Sequence, residues 1–381
     1  MALRIGIVGC GDISGIYLRN AARFPGLALT ACASRTHARA EAAAAAHGIA
    51  ARSVDDLIAS DDIDLVVNLT PPLAHVEVTA RALAAGKHVY SEKPLGVDLA
   101  EAAQLVAQAT AAGLRLGVAP DTALGPAIQT ARRLVAEGAI GTPLFGTAAF
   151  LGLGPEQFHP APAFFYGRGG GPLMDMGPYY LTALVHILGP VTGLRAANLV
   201  QHPERRIDAP GMPAHGSVLP SDVATTVKTE LGFAGGMTVD FTASWDCFAS
   251  GQPHIELHGS AGSLRLPNPD WFGGDLLIAE RPGAWRAIDT SATVFGAPNR
   301  TDEAGVPVAD YRGLGIAEMA QAIRLGTVPR SDAALALHLA AVFDAAARSA
   351  RDRTTVTDLP GCPVPLPLTE TDAAALLAPA A

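Results

Sequence analysis

Residues Arg4 to Gly15 read Arg-Ile-Gly-Ile-Val-Gly-Cys-Gly-Asp-Ile-Ser-Gly, and Ile16 to Phe24 follow with apolar residues at helical spacing. An apolar run, a glycine turn and a helical pattern predict a strand that passes through a tight loop into a helix. Gly9 permits the turn, and Gly11 lets the backbone come close to a pyrophosphate, with Asp12 and Ile13 completing the loop. A phosphate so placed sits at the positive end of the helix. Ser14 stands where a third glycine or alanine is usual, and it is small enough to keep helix close on strand. A purely structural glycine turn reads the same way, so the motif acquires meaning only from its surroundings.

Leu27 to Ala33 makes a second strand, ending at Ser34-Arg35-Thr36, about twenty residues past the glycine turn, where the ribose-reading residue belongs. No carboxylate stands there to accept from the free 2′-hydroxyl of NAD. The hydroxyl of Ser34 beside the guanidinium of Arg35 suits a 2′-phosphate, so the expectation is NADP, with NAD as the alternative. Arg35 stacking on adenine, or starting the next helix, remains open. Ala38 to His47 is an alanine-rich scaffold helix.

Asp64 to Leu69 is a further buried strand, closing on Thr70-Pro71-Pro72 with His75 just inside the following helix. This rigid loop is expected to present Thr70, Pro71 and backbone groups to the nicotinamide half of a dinucleotide. His75 reads as a helix-start residue or cofactor contact rather than a metal ligand, because no second ligand lies at helical spacing. Lys87 to Tyr90, the turn Glu92-Lys93-Pro94, a helix from Leu99 to Ala112 and a strand from Arg115 to Ala119 complete the alternation. A doubly wound parallel sheet over residues 1–121, an NAD(P)-binding Rossmann domain, is the expectation.

Lys93 is one of only three lysines, with Lys87 and Lys228, in a chain that otherwise uses arginine. It follows a strand end, where open α/β sheets bind ligands, and a lysine pKa can be moved by burial.

From residue 122 strand-like runs succeed one another: Leu144 to Leu151, Gly193 to Val200, Ala224 to Phe233, Met237 to Ser244, His254 to His258, Ser263 to Leu266, Leu276 to Ala279 and Trp285 to Ile288. The succession predicts an α+β domain over 122–381 with an open, mostly antiparallel sheet, serving substrate binding and oligomerisation. The long stretches Gly152 to Gly171 and His202 to Pro220 are expected to be lids or subunit contacts. Gly169-Gly-Gly-Pro-Leu-Met-Asp175-Met-Gly-Pro-Tyr179 runs into a helix, which places Asp175 and Tyr179 four residues apart on one face. A helix cap and a packed aromatic are the bland alternatives. Asp121, His159 and Tyr166 join Lys93, Asp175 and Tyr179 as candidate substrate contacts.

Composition narrows the classes. The 381 residues are 49% hydrophobic and 17% charged, enough for two folded domains, and the net charge of -9 without a basic run argues against nucleic acid or an anionic membrane. No apolar run is expected to reach the ~20 residues needed to span a bilayer. A strand beginning almost at Met1 leaves no room for a leader, so the cytoplasm follows by default. Cys10, Cys32, Cys247 and Cys362 are scattered like reduced thiols, and no metal is implied.

Taken together, Gly9-Cys-Gly11, Thr70-Pro71-Pro72 with His75, Glu92-Lys93-Pro94 and the glycine-rich stretch containing Asp175 resemble the Gfo/Idh/MocA family, that of glucose-fructose oxidoreductase and inositol dehydrogenase. The resemblance implies a Rossmann domain followed by an open-sheet domain, nicotinamide-dependent oxidation or reduction of sugars and polyols, a catalytic lysine at Lys93, and a homodimer or homotetramer. The family's Asp-x-Gly-x-His pattern falls on Asp175 to Tyr179, where tyrosine replaces histidine. A later family aspartate falls on Thr182, and Ala119-Pro120-Asp121 departs from the arginine-containing family pattern. Independently of the family, oxidation of a secondary alcohol needs a base for the hydroxyl proton, and Tyr179 is the candidate. Bringing a phenol from a pKa near 10 to about 7 requires ~4 kcal/mol, which a lysine cation at ~4 Å supplies at an effective dielectric of ~20. Asp175 would oppose this beside the phenol, so its expected role is to orient substrate or lysine. A glycoside-cleaving enzyme with tightly held cofactor and a non-catalytic nucleotide sensor are the rival readings.

Overall fold

The computed structural model describes residues 2–199, 202–280, 283–302 and 305–378. The chain forms two compact units, Met1–Gly125 with Thr293–Ala340 and Pro365–Ala381, and Pro126–Ala292 with Ala341–Val364.

In the first unit the apolar runs become β1 (Leu3–Val8), β2 (Leu27–Ala33), β3 (Ala50–Arg52), β4 (Leu65–Asn68), β5 (His88–Ser91) and β6 (Leu116–Val118). They alternate with α1 (Ser14–Ala21), α2 (His37–His47), α3 (Val54–Ala59), α4 (Pro72–Ala84) and α5 (Leu99–Ala111). All pairings are parallel, in the order β3-β2-β1-β4-β5-β6. The order reverses between β1 and β4, which opens a crevice at the carboxyl ends of those strands. Ile5, Ile7, Leu65, Val66, Val67 and Val89 are buried, as expected of strands covered on both faces, each stabilising the fold by ~1.5–3 kcal/mol. Sequence periodicity missed β3 and α3. The strand is too short to show a period, and the six-residue helix depends on Ser53, whose hydroxyl accepts from the Asp56 amide at 3.1 Å.

The second unit contains α6 (Pro126–Ala136), β7 (Pro143–Leu151), α7 (Pro172–Leu188) and β8 (Val191–Leu199). The hairpin of β9 (Glu204–Arg206) and β10 (Val218–Pro220) follows, then β11 (Thr226–Phe233), β12 (Thr238–Ser244), β13 (Ile255–Gly259), β14 (Gly262–Leu266), β15 (Leu276–Glu280) and β16 (Trp285–Ile288). The eight-stranded sheet runs β16-β15-β14-β13-β7-β12-β11-β8, antiparallel except between β7 and β12. Alternation decides its faces. Val227, Thr229, Leu231 and Phe233 of β11 point inward, toward the side covered by α7, whereas Lys228 and Glu230 point outward. The expected strand from Gly193 to Val200 begins two residues earlier, and Val200 lies outside the described residues.

The chain then forms β17 (Arg300–Thr301), β18 (Pro307–Val308), α8 (Leu314–Leu325), α9 (Ala333–Asp352) and α10 (Glu370–Leu377). The division differs from a linear split at 121/122. Ser331 and Asp332 cover the edge of β6, Val118 donating to the Ser331 carbonyl at 2.9 Å, and Arg330 pairs with Glu318 and Asp372. Among the described residues α9 passes the test for a membrane span by length and composition alone. In this protein 56% of its most apolar stretch is buried, as in the core helix of a globular fold.

Candidate active site

In the first unit, candidate residues gather at the carboxyl edge around the β1/β4 crevice. Gly9 has a φ of +111°, and a Cβ there would lie 2.5 Å from the Leu69 carbonyl oxygen, so the loop after β4 can close on it only because it is glycine. At Gly11 the opposite holds: a Cβ would meet nothing within 4 Å, so no protein neighbour demands glycine there. The Ser14 hydroxyl donates to the Gly11 carbonyl at 2.6 Å and fixes the loop to the start of α1. Asp12 and Ile13 are exposed at the loop tip. Ser34 and Arg35 follow β2 as expected; Arg35 is exposed and makes no ion pair among the described residues.

The loop after β4 is held from within. Asn68 is fully buried and donates to the His75 carbonyl and the Thr79 hydroxyl at 3.0 Å each, while its Oδ1 accepts the amide and hydroxyl of Thr70. His75 lies 1% exposed, with Nδ1 2.7 Å from the Pro94 carbonyl and Nε2 2.6 Å from the Thr70 carbonyl. Burial pushes the ring's pKa down, against the two carbonyls. The ring therefore staples two loops together, within the first turn of α4. Pro71 precedes α4 and Pro72 occupies its first turn.

After β5, Glu92 is buried and Lys93 half-buried. Both carboxylate oxygens of Glu92 are engaged: Tyr17 Oη donates to Oε1 at 2.8 Å and the Lys93 amide to Oε2 at 3.0 Å. Glu92 thus supports the turn.

Asp121 has a side chain 1% exposed, and its Oδ2 accepts the amides of Gly313 and Gly315 at 2.8 and 2.9 Å, at the amino end of α8. It caps a helix. Burial pushes its pKa up to about 6. A carboxyl whose folded-state pKa exceeds its unfolded value binds its proton more tightly when folded. Its favourable contribution is therefore complete below pH ~4 and lost as pH rises through about 6. Two pKa units correspond to ~3 kcal/mol. Asp121→Asn keeps an acceptor for both amides without the charge, and should raise stability at pH 8 by ~1–3 kcal/mol while flattening the pH dependence of urea unfolding between pH 4 and 7. Equal loss of stability at pH 5 and pH 8 would contradict this assignment.

In the second unit, α7 carries Asp175 in its first turn and Tyr179 one turn later, so the expected common face exists. Gly171 leads in at φ +93°, and the Asp175 amide donates to the Gly171 carbonyl at 3.0 Å. Pro178 lies inside the helix and removes the amide that would otherwise bond the Met174 carbonyl. Tyr180, which follows Tyr179, points into the sheet, stacked on Phe241 at 5.2 Å with its hydroxyl 2.7 Å from His254 Nδ1. His159 packs edge-on against Phe164 and Phe165, and its Nδ1 accepts from the Ala161 amide at 3.1 Å.

Tyr166 is 1% exposed and donates to Glu156. It belongs to a buried polar cluster that the sequence did not reveal. Arg205 bonds Glu156 Oε1 at 3.0 Å and Asp246 Oδ1 at 2.6 Å, and Asp246 also accepts from Thr225 and Thr226 at 2.7 Å each. Burial pushes the Asp246 carboxyl up, but these donors outweigh it and hold the pKa low. The cluster ties the 152–171 stretch and the β9–β10 hairpin to the end of β12. Both excursions are anchored there.

A parallel sheet with a glycine turn at its switch point, joined to an α+β unit with an open mixed sheet, defines the class of two-part α/β dehydrogenases. The description "Oxidoreductase family, NAD-binding Rossmann fold" matches residues 3–119, and "GFO/IDH/MocA C-terminal domain" matches residues 128–265. A dTDP-3,4-didehydro-2,6-dideoxy-alpha-D-glucose 3-reductase from Streptomyces violaceoruber is 33% identical over 328 residues, 85% of this chain and 86% of that one. A trans-1,2-dihydrobenzene-1,2-diol dehydrogenase from Bos taurus is 30% identical over 282 residues, 73% of this chain and 78% of that one. A levoglucosan dehydrogenase solved with NADH shares the fold, with a TM-score of 0.79 at 23% identity over 95% of this chain and 100% of that chain. The chain belongs to the Gfo/Idh/MocA family of NAD-binding oxidoreductases.

Proposed function

We propose that this protein is a dehydrogenase or reductase that uses NADP in preference to NAD and acts on a secondary alcohol or ketone of a sugar, polyol or related cyclic compound. The observation that carries the reading is Lys93, half-buried on a turn anchored by buried Glu92 at the edge of the sheet where dinucleotides bind in such folds. Gly9, Gly11, Asp12 and Ile13 would hold the pyrophosphate, Ser34 and Arg35 the ribose, and Thr70 and Pro71 the nicotinamide half; the space beside Gly11 suits this. The nicotinamide supplies the hydride acceptor or donor. Lys93 holds the substrate oxygen, Tyr179 exchanges the hydroxyl proton, and Asp175 orients the substrate. The named activities of the reductase and diol dehydrogenase relatives support this substrate class.

A panel of sugars and polyols, assayed with each nucleotide for reduced cofactor, tests the proposal; ligand binding without turnover throughout the panel would refute it. The NADP preference rests on exposed Arg35 and the lack of a carboxylate at residues 34–36. Arg35→Asp is expected to raise the KM for NADP about 10- to 100-fold, the worth of a charge-assisted phosphate contact, with little change for NAD. An unaltered KM for NADP would remove Arg35 from the site. The outward face of the eight-stranded sheet, with Lys228, Glu230 and Asp240, is the surface we assign to a homodimer or homotetramer; a monomer mass in sedimentation equilibrium would overturn that.

A further inference from the structure

We propose that Tyr17 is a positioning residue for Lys93, acting through the Glu92 carboxylate. This rests on the function proposed above. Tyr17 stands on α1, the helix that opens at the glycine turn, and is 2% exposed. Its hydroxyl donates to Glu92 Oε1 at 2.8 Å, and the other oxygen of that carboxylate receives the Lys93 amide at 3.0 Å. The carboxylate is thereby clamped between a phenol on the nucleotide helix and the backbone of the lysine turn. Burial raises the Tyr17 phenol well above its ordinary pKa, so it serves as a proton-bearing donor throughout the working range. Tyr90, Asp121, His75, Arg312 and Lys93 are the other titratable or charged groups around this phenol and carboxylate.

Without the phenol, Glu92 Oε1 is left buried and lacks one donor. A carboxylate so placed turns toward another cation, and the Lys93 ammonium is the cation on the adjoining residue. That turn displaces the lysine from its work.

Tyr17→Phe is expected to lower kcat about 10- to 100-fold and to leave the KM for nucleotide within about twofold. Placing 3-fluorotyrosine at position 17 keeps the shape and strengthens the donor, so kcat should hold at or above the native value. It serves if the phenylalanine variant does not fold. Native kcat in Tyr17→Phe, or a fluorotyrosine kcat about tenfold below native, overturns the proposal, as does a parallel loss in kcat and nucleotide binding. A second readout needs no turnover. Acetic anhydride labels the three lysines, and the rate at Lys93 relative to Lys87 and Lys228 should change in Tyr17→Phe. A changed Lys93 rate in a protein inactive on every substrate would sink the dehydrogenase reading and keep the positioning role. An unchanged rate in an active enzyme would do the reverse.

Discussion

Replacement of Lys93 by methionine is expected to lower kcat/KM about 1,000-fold on whichever alcohol proves to be the substrate, with the fold and nucleotide affinity largely retained. Under the role proposed for Lys93, the magnitude follows from removing a cation from the oxygen on which charge develops during proton loss, an effect that costs ~10²–10³-fold for a single oxyanion donor and more when the group also tunes a base. The turn is also held by groups other than the ammonium. Its supports are the Lys93 amide on Glu92, the His75 contact to the Pro94 carbonyl, and the Glu92 amide on the Asn68 carbonyl at 2.8 Å. Methionine keeps the stem and removes the charge, so circular dichroism and nucleotide titration should resemble the native protein. A Lys93→Met enzyme within tenfold of native kcat/KM would remove the lysine from the chemistry.

Arg205→Met should produce the largest loss of stability. Arg205 is 6% exposed and stands between two buried carboxylates, Glu156 and Asp246. Deleting one partner of a buried ion pair costs ~3–5 kcal/mol, mostly because the remaining charges are stranded, and this is a large share of the ~5–15 kcal/mol typical of a folded domain. The pH dependence carries a sign. Asp246 then loses one of the donors that hold its carboxyl low, so its folded-state pKa moves up and the loss relative to native should be smaller at pH 5 than at pH 8. Urea midpoints at pH 5 and pH 8 measure both effects. A midpoint equal to native at pH 8 would show that the cluster contributes nothing net to folding.

Much of the architecture was legible because it rests on local patterns. The apolar runs of β1, β4 and β5 end in glycine, proline and Glu92-Lys93-Pro94, and β11 and β12 alternate at period two, so strand identity and the parallel-to-mixed change follow from the residues themselves. Side-chain direction was not legible. His75, Asp121 and Tyr166 have the residue types and strand-end or loop positions of site groups, yet each turns inward to partners distant in sequence: Pro94, Gly313 and Gly315, and Glu156. Tyr17 and Glu92 are 75 residues apart and Glu156 and Arg205 are 49 apart, separations across which one sequence carries no pairing signal. The return of residues 293–340 and 365–381 to the first unit was hidden for the same reason, since it depends on the Asp121 cap and the Arg330 ion pairs.

The proposed role of Tyr179 as the proton acceptor is tested most directly by the pH dependence of kcat/KM for alcohol oxidation. The native enzyme should show a limb rising to a plateau, and Tyr179→Phe should lose that limb along with ~10²–10⁴-fold in rate. A phenylalanine variant that keeps both the native rate and the native profile would contradict it.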